Sequence, residues 1–371
     1  MTPRQPILAA LLASAAALLW ACGGGGGGGG STNDAATAAT SLVAADLAVL
    51  IAEGDSTSEA IGRAYQLARG VPEANMIRVP LPVRTDSMSA ADFSTLKTAI
   101  DARLPGHVQA TLVTWMQPSR VSGTTATGSP CSMGITSALA LGYSTRYCGG
   151  CVATFTTGYY DSNSHRPFAD HGVRPSMMLG AATLAEAQTL INRGVAADAS
   201  LINTSNPAHA WLVRTSDTDR SVRADDFRTL ANTTVAGLTV HYVDNSAGNS
   251  SNVVTGQARV MFYFTGLAAV PQISTNTYLP GAVADHLTSL GGLLPDGNGQ
   301  MPITAWLQAG LTGSYGTVEE PCNFAQKFPR ASVMVNRYQR GDTLIEAYWK
   351  SVQWPGQGLF IGEPLARPWA R

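Results

Sequence analysis

Across 371 residues the chain carries 24 basic and 25 acidic side chains, a formal net charge of −1. The two signs are distributed along the chain, so no basic face recommends nucleic acid or an anionic bilayer as a partner. With 45% hydrophobic and 13% charged residues it reads as globular and short of surface charge, and its 38 glycines and 20 prolines imply many turns and long loops.

The N-terminus has the layout of a secretory signal. Arg4 precedes an apolar run over 7–20, and the small Ala21 stands before Cys22. The run is shorter than the roughly 20 apolar residues a spanning helix needs, so residues 1–21 are expected to be a signal peptide. Leu19-Trp20-Ala21-Cys22 resembles the bacterial lipobox, in which a lipid is attached to the cysteine thiol, although Trp20 is bulkier than such signals usually take. An ordinary signal peptide cut nearby is the alternative. Residues 23–30 are an unbroken glycine octet followed by STNDAATAATS, too poor in apolar surface to offset chain entropy, so 22–42 reads as a lipid-bearing tether. Gly23 after the cysteine, by analogy with Gram-negative sorting, implies the outer membrane, periplasmic or surface-facing.

Folded structure is expected over 43–371. LAVLIAEGD (47–55) reads as a buried strand feeding a helix in which Ser56 and Glu59 have capping-box spacing and Gly70 marks the stop. MIRVPLP (76–82), a helix over 89–104 and the strand ATLVTWM (110–116) complete a β-α-β-α-β order. SMMLGA (176–181) leads into a helix opened by the capping-box pair Thr183 and Glu186. HAWLVRT, LTVHYVD and ARVMFYFTG follow as strands, with a helix over 223–237 between the first two. Strands joined by helices predict an α/β fold with a mainly parallel sheet covered on both faces.

Residues 117–175 differ: rich in Ser, Thr, Gly and Tyr, they hold three of the five cysteines and only ITSALALG (135–142) as a short helix. They read as a loop-rich insertion at the sheet edge, and such long loops are usually functional or stapled. Setting Cys22 aside, Cys131, Cys148, Cys151 and Cys322 are an even number in an exported chain, which favours two disulfides with three possible connectivities. Two other readings of CGGC (148–151) stay open. One is a redox-active bridge between Cys148 and Cys151; the other is a metal site drawing on Cys131, His165 or His171, for which the histidine spacing is missing. No cofactor is expected.

STSEAIGRAYQLARGVPEANMIRVPLP, YLPGAVADHLTSLGGLL, AGLTGSYGTVEEPC and YQRGDTLIEAYWKSVQWPGQGLFIGEPLARP together resemble an uncharacterised bacterial exported family found with exosortase-type sorting systems. That resemblance implies an envelope or surface-sorting partner and no established activity. The order of blocks from ARVMFYF to FIGEPLARP is also similar to gingipain-type cysteine peptidases, which implies a caspase-like three-layer fold with a histidine after one strand and a cysteine after the next. Thr265 and Gly266 stand where the histidine is expected, and LPGAVADHLTS holds no cysteine, so the likeness implies a kept fold and a lost dyad.

A relocated site would use His286 and Cys322 with Glu319 or Glu320 as orienter. Against it, ADHLTS reads as a helix start, where a histidine caps or binds a nearby carbonyl, and adjacent glutamates face opposite ways in an extended segment. Leu344, Ala347, Tyr348 and Val352 recur at helical spacing as a core face, with Trp349 and Trp354 beside it. Three functions follow: a noncatalytic accessory or binding module at the cell envelope, a hydrolase or peptidase around His286 and Cys322, and a thiol oxidoreductase at Cys148 and Cys151.

Overall fold

A computed structural model describes residues 41–370 apart from 203, 232 and 236. The segment expected to be a signal peptide, Cys22 and the expected tether up to residue 40 lie outside the described residues. Strand β1 (Leu47–Ala52) is buried throughout and feeds helix α1 (Ser56–Arg69). The cap of α1 is Asp55 rather than Ser56, its carboxylate accepting from the amides of Thr57 and Ser58, and Gly70 ends the helix in the left-handed region at φ 69°. Then come β2 (Met76–Val79), β3 (Ser87–Ser89), α2 (Ala90–Asp101) and β4 (Ala110–Val113). The insertion contributes β5 (Arg120–Thr124), β6 (Pro130–Gly134), α3 (Ile135–Leu141) and α4 (Pro167–His171).

Beyond it lie β7 (Ser176–Met178) and α5 (Leu184–Ala197), which opens with the Thr183–Glu186 capping box read from sequence. Strand β8 (Ala208–Arg214) is followed by α6 (Ala224–Thr229), which is shorter than the helix expected over 223–237 because residues 234–235 form strand β9 (Thr234–Val235) against β10 (Leu238–Asp244). The chain closes with β11 (Val260–Thr265), β12 (Tyr278–His286), α7 (Thr304–Gln308), β13 (Gly313–Thr317), α8 (Ala331–Gln339), α9 (Leu344–Ser351) and β14 (Gly358–Gly362).

Eleven strands form one sheet in the order β2-β1-β4-β7-β14-β13-β12-β11-β8-β10-β9. From β2 to β7 each neighbour is parallel, and so is each from β13 to β10, while β14 between the two groups is antiparallel to β13 and meets β7 at the one pair Ile361 and Met178. The sheet therefore has two parallel halves, β2 to β7 and β13 to β10, and their carboxyl edges open at the same end, since the loop after β12 meets the loop after β4 where the Leu294 amide donates to Ser119 Oγ at 3.3 Å. With nine α-helices among the described residues, this mixed, mostly parallel arrangement is consistent with a three-layer α/β sandwich.

The last strand to be made sits at the seam, and buried charge secures it. Glu363, fully buried, accepts from Tyr65 Oη at 2.7 Å and from Arg69 Nε at 2.9 Å, while Arg69 also pairs with Asp198. Helix α1, the end of α5 and the end of β14 are joined at one carboxylate. Gly194 on α5 is required there, since a Cβ would lie 2.3 Å from Glu363 Oε2.

The insertion does not hang from the sheet edge as its composition suggested. Helix α3 packs on β7 and β14, near the middle of the sheet; Ser137 Oγ donates to the carbonyl of Gly358 at 2.8 Å, and β5 pairs with β3 on one side and β6 on the other in a separate three-stranded sheet. Helix α9 is buried at every position from Leu344 to Ser351, so the helical stripe read there is only part of its contact surface.

Candidate functional site

In open α/β sheets ligands bind outside the carboxyl ends of the strands, where the strand order reverses. Each half has such a point. In the first, β1 leads outward to β2, and β4 returns to its other side; in the second, β8 leads to β10, and β11 returns to its other side.

The second point is filled by the chain itself. Thr215 Oγ1 donates to the carbonyl of Gly266 at 2.8 Å, and a Cβ on Gly266 would lie 2.0 Å from the carbonyl oxygen of Arg220. The residue between β11 and its loop must be glycine for the 215–223 segment to lie this close. Arg223, 3% exposed, donates Nη2 to the Thr265 carbonyl at 2.8 Å and sets Nη1 against the carboxylate of Asp285, which is fully buried. The two are in contact as charges, yet neither Asp285 oxygen receives a well-directed hydrogen bond. Burial pushes the Asp285 carboxyl up to about 6, with Arg223 acting in the opposite direction.

His286, next in the chain, is the last residue of β12 and not a helix start. It is 1% exposed. Trp306 Nε1–H donates to its Nδ1 at 3.0 Å, so the ring proton sits on Nε2, which donates to the Met301 carbonyl at 3.0 Å. Both ring nitrogens are committed, and burial pulls the imidazole down to about 4. Among the described residues it makes no hydrogen bond to Cys322, Glu319 or Glu320.

Those three residues join the insertion instead. Cys322 is bonded to Cys151, so its sulfur is not available as a thiolate in this state; Glu319 Oε2 accepts from the Ser132 amide, and Glu320 Oε1 accepts from the Cys322 amide at 2.8 Å. Lys327, fully buried, donates Nζ to the Gly150 carbonyl and is lowered to about 8 by burial, with Glu319 and Glu320 opposing.

The second bridge joins Cys131 to Cys148. Cys148 and Cys151 are thus not bonded to one another, and the two glycines between them separate two different staples, contrary to a CGGC redox pair. The alternative metal set is also spent: its sulfurs are in disulfides, His165 Nδ1 lies 2.7 Å from Glu346, and His171 Nε2 lies 3.0 Å from Ser162 Oγ. Two disulfides belong to an oxidising, exported environment. No described helix is long and apolar enough to cross a membrane.

The first point is open. A cavity of about 330 Å³ is lined by Asp55, Thr57 and Ser58 from the start of α1, Arg84 after β2, Thr114 to Gln117 after β4, Ala181 and Ala182 after β7, and Pro295. Its floor is a fixed relay: Thr114 Oγ1 donates to the Leu50 carbonyl at 2.9 Å, so Ser58 Oγ donates to Thr114 at 2.6 Å while accepting from the Ala52 amide. Arg84 pairs with Asp55 at the rim, and the Nε1–H of Trp115 is buried with no partner. An aromatic wall, a polar floor and a charged rim suit a small polar ligand; among the described residues neither hydroxyl is hydrogen-bonded to a carboxylate or a histidine. Sequence reading passed over this site. The signal it offered was Asp55-Ser56-Thr57-Ser58 directly after the first buried strand.

No family model and no curated protein matches the chain. A solved structure described as "Structure of Protease" is a remote structural likeness, with a TM-score of 0.44 and 8% identity over 88% of this chain and 79% of that one.

Proposed function

We propose that this chain is an exported cell-envelope protein, held to the outer membrane through lipid on Cys22, that works as a noncatalytic binding module on a caspase-like three-layer fold. An envelope or surface-sorting component is its partner, and the open crevice at the β1–β4 reversal is its ligand site. The observation that carries this reading is the Arg223–Asp285 pair. It occupies the strand ends where a caspase-like enzyme holds its dyad, and His286 beside it has no free ring nitrogen. A site that must bind substrate cannot also be packed with its own loop.

The test is to treat the purified chain with thiol- and serine-directed hydrolase probes and with a mixed peptide library. No adduct and no cleavage are expected. Turnover abolished by His286→Gln or Glu319→Gln would overturn the binding-module reading in favour of a hydrolase.

A further inference from the structure

On one face of β8 and β10, away from either strand reversal, two histidines meet. Thr239 pairs with His209 and His241 pairs with Trp211, so His241 stands diagonally across from His209 on the same side of the sheet. Their neighbours Ala208, Ala210 and Val240 turn to the buried side, while His209, Trp211 and His241 stay partly open to solvent. The ring nitrogens converge: His209 Nδ1 lies 3.1 Å from His241 Nε2, with the rings tilted by 42°. Trp211 stacks on His241 at 4.2 Å between centroids and 15° between planes, which fixes that imidazole in place.

Partial burial holds both imidazoles below the usual histidine range, Arg259 adding to the effect at His209 and His209 adding to it at His241. The neutral form of imidazole is the one that ligates metals. One proton can bridge the two facing nitrogens. A divalent ion can replace it and take a lone pair from each. At a metal–nitrogen distance of about 2.0–2.1 Å, a 3.1 Å separation closes an angle of about 98° at the metal, between square-planar and tetrahedral values.

We propose that His209 and His241 chelate one divalent transition-metal ion, Cu²⁺ or Zn²⁺, on this open sheet face, with water completing its shell. Imidazole donors suit these ions, and Cu²⁺ binds such a pair the more tightly. Protons compete for the same lone pairs, so binding weakens as the pH falls through the imidazole range.

The experiment is titration of the full chain, purified without a histidine tag, with Cu²⁺ and with Zn²⁺ at pH 7, followed by calorimetry and tryptophan emission. One equivalent is expected to bind. His209→Ala and His241→Ala each weaken binding by about tenfold or more, whereas His107→Ala, at an exposed histidine elsewhere, leaves it unchanged. Trp211→Phe keeps the stoichiometry but loses most of the Cu²⁺-dependent quenching, because the indole stacked on the ligand is the emitter that senses the ion. Should an alanine variant fail to fold, the paired His209→Gln and His241→Gln substitutions, checked by circular dichroism, decide the matter. Wild-type affinity in that folded double variant, or no binding by the wild type, overturns the proposal.

Discussion

Arg223 and Asp285 face each other at the ends of two different segments, the loop before α6 and the end of β12, and close a charge pair that solvent does not reach. Such a pair gains little against an apolar substitute, but breaking it from one side strands a charge. Arg223→Met is expected to cost about 3–5 kcal/mol in urea unfolding at pH 7, and adding Asp285→Asn to that variant recovers part of the loss. Strict additivity of the two single costs would show that the residues do not act as a pair.

The neighbouring positions 285 and 286 pull the pH profile in opposite directions. The Asp285 carboxyl rises to about 6, so between its unfolded value near 4 and that point the folded state binds more protons, and its contribution is lost as pH rises. His286 falls to about 4 from an unfolded value near 6.5, so its contribution is lost as pH drops through the same window. Each contribution is about 3 kcal/mol in size, and in the wild type they largely cancel. Relative to wild type, the stability of Asp285→Asn should climb from pH 4 to 6 and that of His286→Gln should decline. Parallel profiles for all three proteins would sink the linkage.

Access separates the two disulfides. Cys131 and Cys148 are 0% and 2% exposed, whereas Cys151 is exposed and Cys322 half-buried. Exchange requires a thiolate to reach the sulfur. Mild reductant under native conditions, followed by timed alkylation and mass spectrometry, should therefore label Cys151 and Cys322 first and the other pair only on unfolding. Simultaneous labelling of all four would contradict this.

Gly266→Ala tests how tightly the second strand reversal is packed. The new methyl group would meet the Arg220 carbonyl at 2.0 Å, so either the loop over 215–223 moves or the strand does. A cost of about 1–3 kcal/mol or more is expected. Gly106→Ala, where a Cβ meets nothing within 4 Å, should stay within about 0.5 kcal/mol in the same thermal or urea measurement. Equal stability of the two variants would mean the reversal is looser than its contacts imply.

Local chemistry was legible in the sequence because it is decided by neighbours a few residues apart. The buried run of β1, the glycine stop of α1, the Thr183–Glu186 box and the short helix α3 all follow from periodicity and capping. The even cysteine count likewise indicated two bridges. Tertiary structure alone decided which sulfurs met, because the partner of Cys151 lies 171 residues away. It also decided that the last strand enters the middle of the sheet, antiparallel to β13, since strand order depends on which edges remain unpaired and not on any local signal. His286 reads locally as a polar residue near a helix start, and becomes the buried end of a strand only because Trp306 and Met301 are brought to its two nitrogens. The Ser58–Thr114 floor, the Arg223–Asp285 plug and the His209–His241 pair each join residues at least 32 positions apart. Long-range pairing of this kind is a property of the packed sheet, and it is what opens one strand reversal and closes the other.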